Sequence, residues 1–148
     1  MTVRKRVRNS KGFSLIEMMV AIVFIMISML ALLTASLTTM QTNMKNELRN
    51  IAITISNQTA EVLLALPEDD TEVTDGSVHS RIAGDTTQDA KGFPFKKHSV
   101  RSYQQEYDIQ WDVVSKTDKI KQVTITVTYT FKNKNYSTSS VIYKNKAV

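Results

Sequence analysis

The sequence predicts an α+β fold: a long N-terminal helix, half of it apolar enough for a bilayer and half amphipathic, packed on a small antiparallel sheet of three to four strands. Three observations carry that expectation. Neither Gly nor Pro occurs from 13 to 66, and these are the usual breakers of a helical run. In the outer part of that run the apolar residues recur three, four and seven positions apart, the spacing of one helix face. Beyond about 100 the pattern changes to alternation, the period of a strand with one face buried.

The first element is a basic leader. Arg4, Lys5, Arg6, Arg8 and Lys11 precede Gly12 with no acid among them. The 148-residue chain holds 19 Lys plus Arg against 14 Asp plus Glu, so once those five are set aside the remainder balances. The basic character belongs to the leader, and nucleic acid is not an expected partner. There is no Cys, which excludes a disulfide framework and a thiolate metal site.

The second element is a membrane segment. From 18 to 37 the polar residues are Ser28, Thr34 and Ser36, and ~20 apolar residues suffice for a ~30 Å hydrocarbon core. The basic flank orients the N-terminus to the cytoplasm and the rest outward. A secretory signal peptide would be cut after small residues, and Thr34-Ala35-Ser36 is a poor match. A plain single-pass anchor leaves Gly12 and Glu17 without an account, since a carboxylate at the hydrocarbon centre costs roughly 2.5 to 3.5 kcal/mol.

The string Lys11-Gly12-Phe13-Ser14-Leu15-Ile16-Glu17, with a basic leader before it and an apolar helix after it, resembles the class III signal of type IV pilins and of the pseudopilins of type II secretion. The resemblance implies a leader at 1–12, cut between Gly12 and Phe13 by prepilin peptidase, with N-methylation of the new amine on Phe13. It further implies a transmembrane and assembly half at 13–40 and a soluble head at 41–148. The implied partners are prepilin peptidase, other pilin or pseudopilin subunits, the inner-membrane assembly platform and membrane lipid. The implied location is the bacterial inner membrane, as a single-pass protein with its head outside, and then the pilus or pseudopilus. In that family the acid at the Glu17 position meets the terminal amine of an adjacent subunit. The sequence itself shows that positions 13 and 17 share a helix face, and a buried charge persists only when paired. A carboxylate that snorkels to the headgroups is the plainer alternative.

The helix is expected to continue beyond the membrane. Met40, Met44, Leu48, Ile51, Ile55, Val62 and Leu66 form a stripe, with Lys45, Glu47, Arg49, Asn50, Asn57 and Glu61 on other faces. At 1.5 Å per residue the run from 13 to 66 makes roughly 80 Å of helix, ended by Pro67. Many major pilins carry a Pro in the membrane half; this chain has none there, and the resemblance therefore leans to a minor subunit. The methionines read as adaptable packing residues rather than metal ligands.

Residues 67–99 are polar and read as connection, with a short strand at 77–82. Glu68, Asp69, Asp70, Glu72 and Asp75 lack the alternating spacing and closing Glu of a calcium loop. His79 and His98 stand apart from any catalytic constellation, and neither a nucleophile turn nor a phosphate loop occurs. No enzymatic activity and no cofactor is expected. Lys96, Lys97, His98 and Arg101, near Phe93, Phe95 and Tyr103, make the basic and aromatic patch that could grip DNA.

Strands are expected within 100–144. Tyr107, Ile109, Trp111 and Val113 alternate with Asp108, Gln110 and Asp112; Val123, Ile125, Val127, Tyr129 and Phe131 alternate with a ladder of Thr124, Thr126, Thr128 and Thr130. A third run covers 136–143. Short polar connections make an antiparallel meander, with the outer helix stripe covering its apolar face and the Thr ladder outward.

The function expected is a minor structural subunit of a type IV pilus or type II secretion pseudopilus. The strand texture is most similar to V-type minor pilins, the type IV pilus modification proteins, and to I-type minor pseudopilins. A filament-displayed DNA-binding or adhesive receptor and a monomeric membrane-anchored domain remain open. Gly12→Val is expected to leave the leader attached, because a peptidase closing on extended backbone meets a Cβ there. Intact-mass measurement checks this, and normal cleavage would remove the class III reading.

Overall fold

The computed structural model describes residues 12–74, 76, 78–81, 91–94, 96–100 and 103–145, with Arg81 described by its backbone alone. All of the expected leader but Gly12 lies outside them, as do Asp75, Phe95 and Arg101. The chain divides into two compact units, Met1–Thr42 and Asn43–Val148. One helix, α1 (Leu15–Ala65), contributes to both.

In the first unit the large apolar side chains are exposed along the helix, Phe24 at 66% and Leu32 at 71%. Its hydroxyls turn inward on the helix itself. Ser28, Thr34, Thr38 and Thr39 donate to the carbonyls of Phe24, Ala31, Thr34 and Ala35 at 2.8 to 2.9 Å. Hydroxyls satisfied in this way are compatible with an apolar solvent.

The second unit sets the outer part of α1 against an antiparallel sheet. Its strands are β1 (Val78–Arg81), β2 (Lys97–Val100), β3 (Tyr103–Thr117), β4 (Ile120–Phe131) and β5 (Lys134–Asn145). The order is β1-β3-β4-β5, with β2 also paired to β3. β1 lies opposite Ile109 to Asp112 and β2 opposite Tyr103 to Glu106. These are successive stretches of one edge, since the Val113 carbonyl accepts the Gly76 N–H on the same side that the Tyr107 N–H reaches the Lys96 carbonyl. The sheet thus has five strands where the sequence predicts three to four. The added one, β2, is Lys-His-Ser-Val, a run without alternation that becomes a strand through the ladder β3 offers it.

The β4–β5 hairpin turns at Lys132 and Asn133, which hold φ of 52° and 59°. Left-handed values at both central residues mark the type I′ turn that matches the twist of a hairpin. From Phe131↔Lys134 the register then runs unbroken to Ile120↔Asn145.

The core joins Leu48, Ala52, Ile55 and Leu63 of α1 to the inward residues of β3 and β4, with Val73, Phe93 and Val100 from the preceding segments. The predicted faces of β3 and β4 are the observed ones: Tyr107, Ile109, Trp111, Val113, Val123, Ile125, Val127 and Tyr129 are all buried. The helix stripe needs correction. Ala52, Ser56, Thr59 and Leu63 are buried, Val62 and Leu66 are half-buried, and Met40 is exposed. On the inward face of β5 the small Thr138 and Ser140 stand between the bulkier Tyr136 and Ile142, and small residues of α1 are buried there. Ser56 and Ser140 share a hydrogen bond of 2.6 Å, and the Thr59 hydroxyl donates to the Ile55 carbonyl at 2.8 Å.

Trp111 is held on three sides. His79 and Phe93 stack on it with centroids 5.6 and 5.0 Å away, and its Nε1 donates to the Glu72 carbonyl at 2.8 Å. Tyr107 donates its hydroxyl to the Leu48 carbonyl at 3.2 Å. Burial pushes the ionisation of Tyr107 well above the ordinary tyrosine range, and neighbouring Tyr129 adds to this.

The carboxyl end of α1 has no basic residue in its last turn. Its cation comes from β5: Lys144 Nζ donates to the carbonyls of Leu63, Leu64 and Leu66 at 3.0, 2.9 and 2.5 Å. Beside it on β4, Lys121 donates to the carbonyls of Glu68 and Val73 at 3.1 and 2.9 Å. The two lysines are cross-strand partners on the inward face. Burial is the largest influence on Lys144 and lowers its pKa; Glu68 opposes the shift and Lys121 adds to it. A cation at a helix carboxyl end is favoured by the exposed carbonyls and the helix dipole.

Two expectations follow for thermal or urea unfolding of the protein in detergent. Trp111→Ala should cost about 3 to 5 kcal/mol, as for large aromatic truncations in a core. Lys144→Met keeps the aliphatic bulk but orphans the end carbonyls, and should cost about 2 to 3 kcal/mol. A Met variant melting with the parent would show that water replaces the ammonium without loss.

Candidate processing and assembly site

The residues singled out for processing sit where backbone geometry changes. Gly12, Phe13 and Ser14 are described but belong to no helix, and α1 begins at Leu15. The first turn closes when the Met18 N–H reaches the Ser14 carbonyl at 3.2 Å. Phe13 is 81% exposed and Gly12 has open space where a Cβ would project, so non-helical chain and an accessible bond coincide at this junction. Glu17 is exposed and lies in the first turn of α1. A carboxylate there complements the positive end of the helix dipole. Lys11, the last residue of the basic leader, lies outside the described residues.

The stretch that follows is apolar at the level required of a membrane span. α1 is one helix long and apolar enough to cross a bilayer, with a mean hydropathy of 2.6 in its most apolar window and none of that window buried. Burial inside the protein does not explain such a surface. Lipid or another helix does.

The other sequence-stated candidates are put to structural use. Lys96 and Phe93 are buried, at 4% and 2% exposure. Lys97 pairs with Glu106 at 2.9 Å, and His98 stands edge-on to Tyr107 at 5.7 Å. Of the described residues of the basic and aromatic patch, Lys96 and Phe93 thus belong to the core and Lys97 to an ion pair, while Tyr103 is exposed. In the acidic cluster, Asp70 Oδ1 accepts the Glu72 N–H at 2.9 Å and Lys91 Nζ at 2.6 Å. These bonds hold the Asp70 carboxyl below its ordinary range, the backbone one most. Glu72 faces His79 Nδ1 at 3.4 Å. No group of three or more His, Asp or Glu is gathered as for a metal ion among the described residues.

Residues 7–33 match the family model of the prokaryotic N-terminal methylation motif. No curated protein matches the chain, and no solved structure does. The motif, joined to a long N-terminal apolar helix and an α+β unit, fits a type IV pilin-like protein. Such proteins are prepilins anchored in the membrane by this helix, cut by prepilin peptidase and assembled with other pilins, and they are structural rather than catalytic.

Proposed function

We propose that this chain is a minor structural subunit of a type IV pilus or type II secretion pseudopilus, cut between Gly12 and Phe13, N-methylated on Phe13, and registered in the filament through Glu17. The single observation that carries the reading is Glu17 itself: an exposed acid one turn into an apolar helix, four positions after the residue that becomes the new amine. Once that helix enters a bundle of like helices the dielectric falls, and the carboxylate requires a cation. The Phe13 amine of a neighbouring subunit has the right charge at the right depth. The unbroken course of α1, without Pro, supports the minor rather than the major role.

The orientation follows from the basic leader, with the N-terminus cytoplasmic and the head at 41–148 outside. Prepilin peptidase, fellow subunits and the inner-membrane assembly platform are the partners in this reading. A DNA-receptor reading draws no support from a patch whose Lys96 and Phe93 are buried.

Glu17→Val tests the proposal. Membrane insertion should be unchanged or easier, since a charge leaves an apolar segment. Leader removal and head stability should stay normal. An orphaned buried amine costs ~3 to 5 kcal/mol, which at about 1.4 kcal/mol per tenfold lowers incorporation roughly a hundredfold or more. The readout is the subunit in sheared filaments or co-purified subunit complexes, normalised to its membrane level. Equal incorporation of the Val variant would return Glu17 to a headgroup residue.

A further inference from the structure

β3 and β4 pair from Tyr107↔Tyr129 to Thr117↔Ile120. Both strands continue past that first pair, but not as partners: Tyr103 to Glu106 pair with β2, and Thr130 and Phe131 pair with β5. A notch opens between them. On the outward face it is a cleft of about 590 Å³ bordered by Gln104, Glu106, Asp108, Thr128 and Asn133. On the helix side lies a second hollow of about 210 Å³ against Met44 and Phe131, and the two share Tyr103, Gln105, Thr130 and Lys132. The gap therefore reaches both faces of the sheet.

Main-chain directions in the notch follow from the ladder. Tyr107 N–H and Val113 C=O point to the β1 and β2 edge, and alternate residues of a strand point to opposite edges. Gln104 and Glu106 thus aim their peptide groups into the notch, where β4 would have continued. From the opposite wall Thr130 does the same, in step with Thr128 and Thr126, which face β3 in the shared register. Gln105 sits between these walls at 5% exposure. Its Nε2 donates to the Glu106 carbonyl at 2.8 Å, the bond a neighbouring strand's N–H would make. Its Oε1 is buried with no hydrogen-bond partner among the described residues.

We infer that this notch takes a short extended segment of another polypeptide chain as an inserted strand, with the Gln105 side-chain amide as one of its partners. What the walls share is the repeating donor and acceptor pattern of strand edges, which a peptide main chain matches on both sides at once. The unsatisfied Gln105 oxygen calls for an N–H, which a peptide supplies at every residue but proline. Charge does not select the ligand: Glu106 is already paired with Lys97, and the lining carries both an acid, Asp108, and a base, Lys132. The volume lies in the range of small-ligand sites, so the inserted piece is a few residues rather than a whole strand. The inference stands independently of the filament reading.

The test uses the full chain, ¹⁵N-labelled, in detergent micelles, and titrates a blocked pentapeptide, acetyl-Thr-Val-Thr-Val-Thr-amide. The same peptide N-methylated at alternate residues and the disaccharide maltose are titrated in parallel. Saturable amide shifts centred on Gln104, Glu106 and Thr130, with slowed hydrogen exchange there, are expected for the first peptide. Binding should be about tenfold weaker for the N-methylated one, the loss of about one hydrogen bond. Gln105→Leu should weaken the first peptide by a similar factor while leaving the melting temperature equal or higher, because a buried unsatisfied oxygen is removed. Equal binding of the N-methylated peptide, shifts centred on β5 instead, maltose binding in place of peptide, or no shift at millimolar peptide would each overturn the inference.

Discussion

One ammonium group closes the carboxyl end of a 51-residue helix. Lys144 Nζ meets three carbonyls of the last residues of α1 and of Leu66, groups that a helix cannot satisfy internally. Because the cation stands on the final strand, helix end and sheet end become a single junction. Lys121 extends that junction to Glu68 and Val73. The segment leaving α1 therefore starts from a fixed point, and it brings Val73 and Phe93 into the core and His79, on β1, opposite Trp111. Without the two lysines the same loop has carbonyls in the interior and no donor for them.

Periodicity made the largest parts of this architecture legible. The absence of Gly and Pro from 13 to 66 leads directly to α1, and the alternation about Trp111 and about Val127 yields the buried faces of β3 and β4 residue by residue. What periodicity could not supply is what long-range contact creates. Nothing in the local pattern singles out Lys144 or Lys121, since the carbonyls they serve lie some fifty to eighty positions away. Ser56 and Thr59 are missing from the apolar stripe, because a hydroxyl carries no hydrophobic signal. Ser56 is buried against the Ser140 hydroxyl of β5, and Thr59 with its hydroxyl on the Ile55 carbonyl. β2 was hidden for a related reason: its residues have no strand pattern, and the free edge of β3 imposes one.

The candidate site divides in the same way. Gly12, Phe13 and Glu17, the proposed processing and assembly residues, stand out in sequence because a signal of this kind is contiguous, and the methylation motif that spans them matches residues 7–33. The notch beside Gln105 is invisible in sequence. It arises from where one ladder stops, and Gln105 occupies an inward position where alternation leads one to expect an apolar residue. A polar residue in a core phase is the signal that could have drawn attention to it.

The cage around Trp111 has an optical consequence. It is the chain's single tryptophan, and all five tyrosines also lie between 103 and 143, so the indole and phenol absorption of this protein belongs entirely to the second unit. The apolar half of α1 carries no tryptophan or tyrosine. Emission from the indole, sandwiched between an imidazole and a phenyl ring, then reports whether the segment carrying His79 and Phe93 is docked on the sheet. That reading needs no label and is undisturbed by detergent, lipid or neighbouring helices around the apolar span.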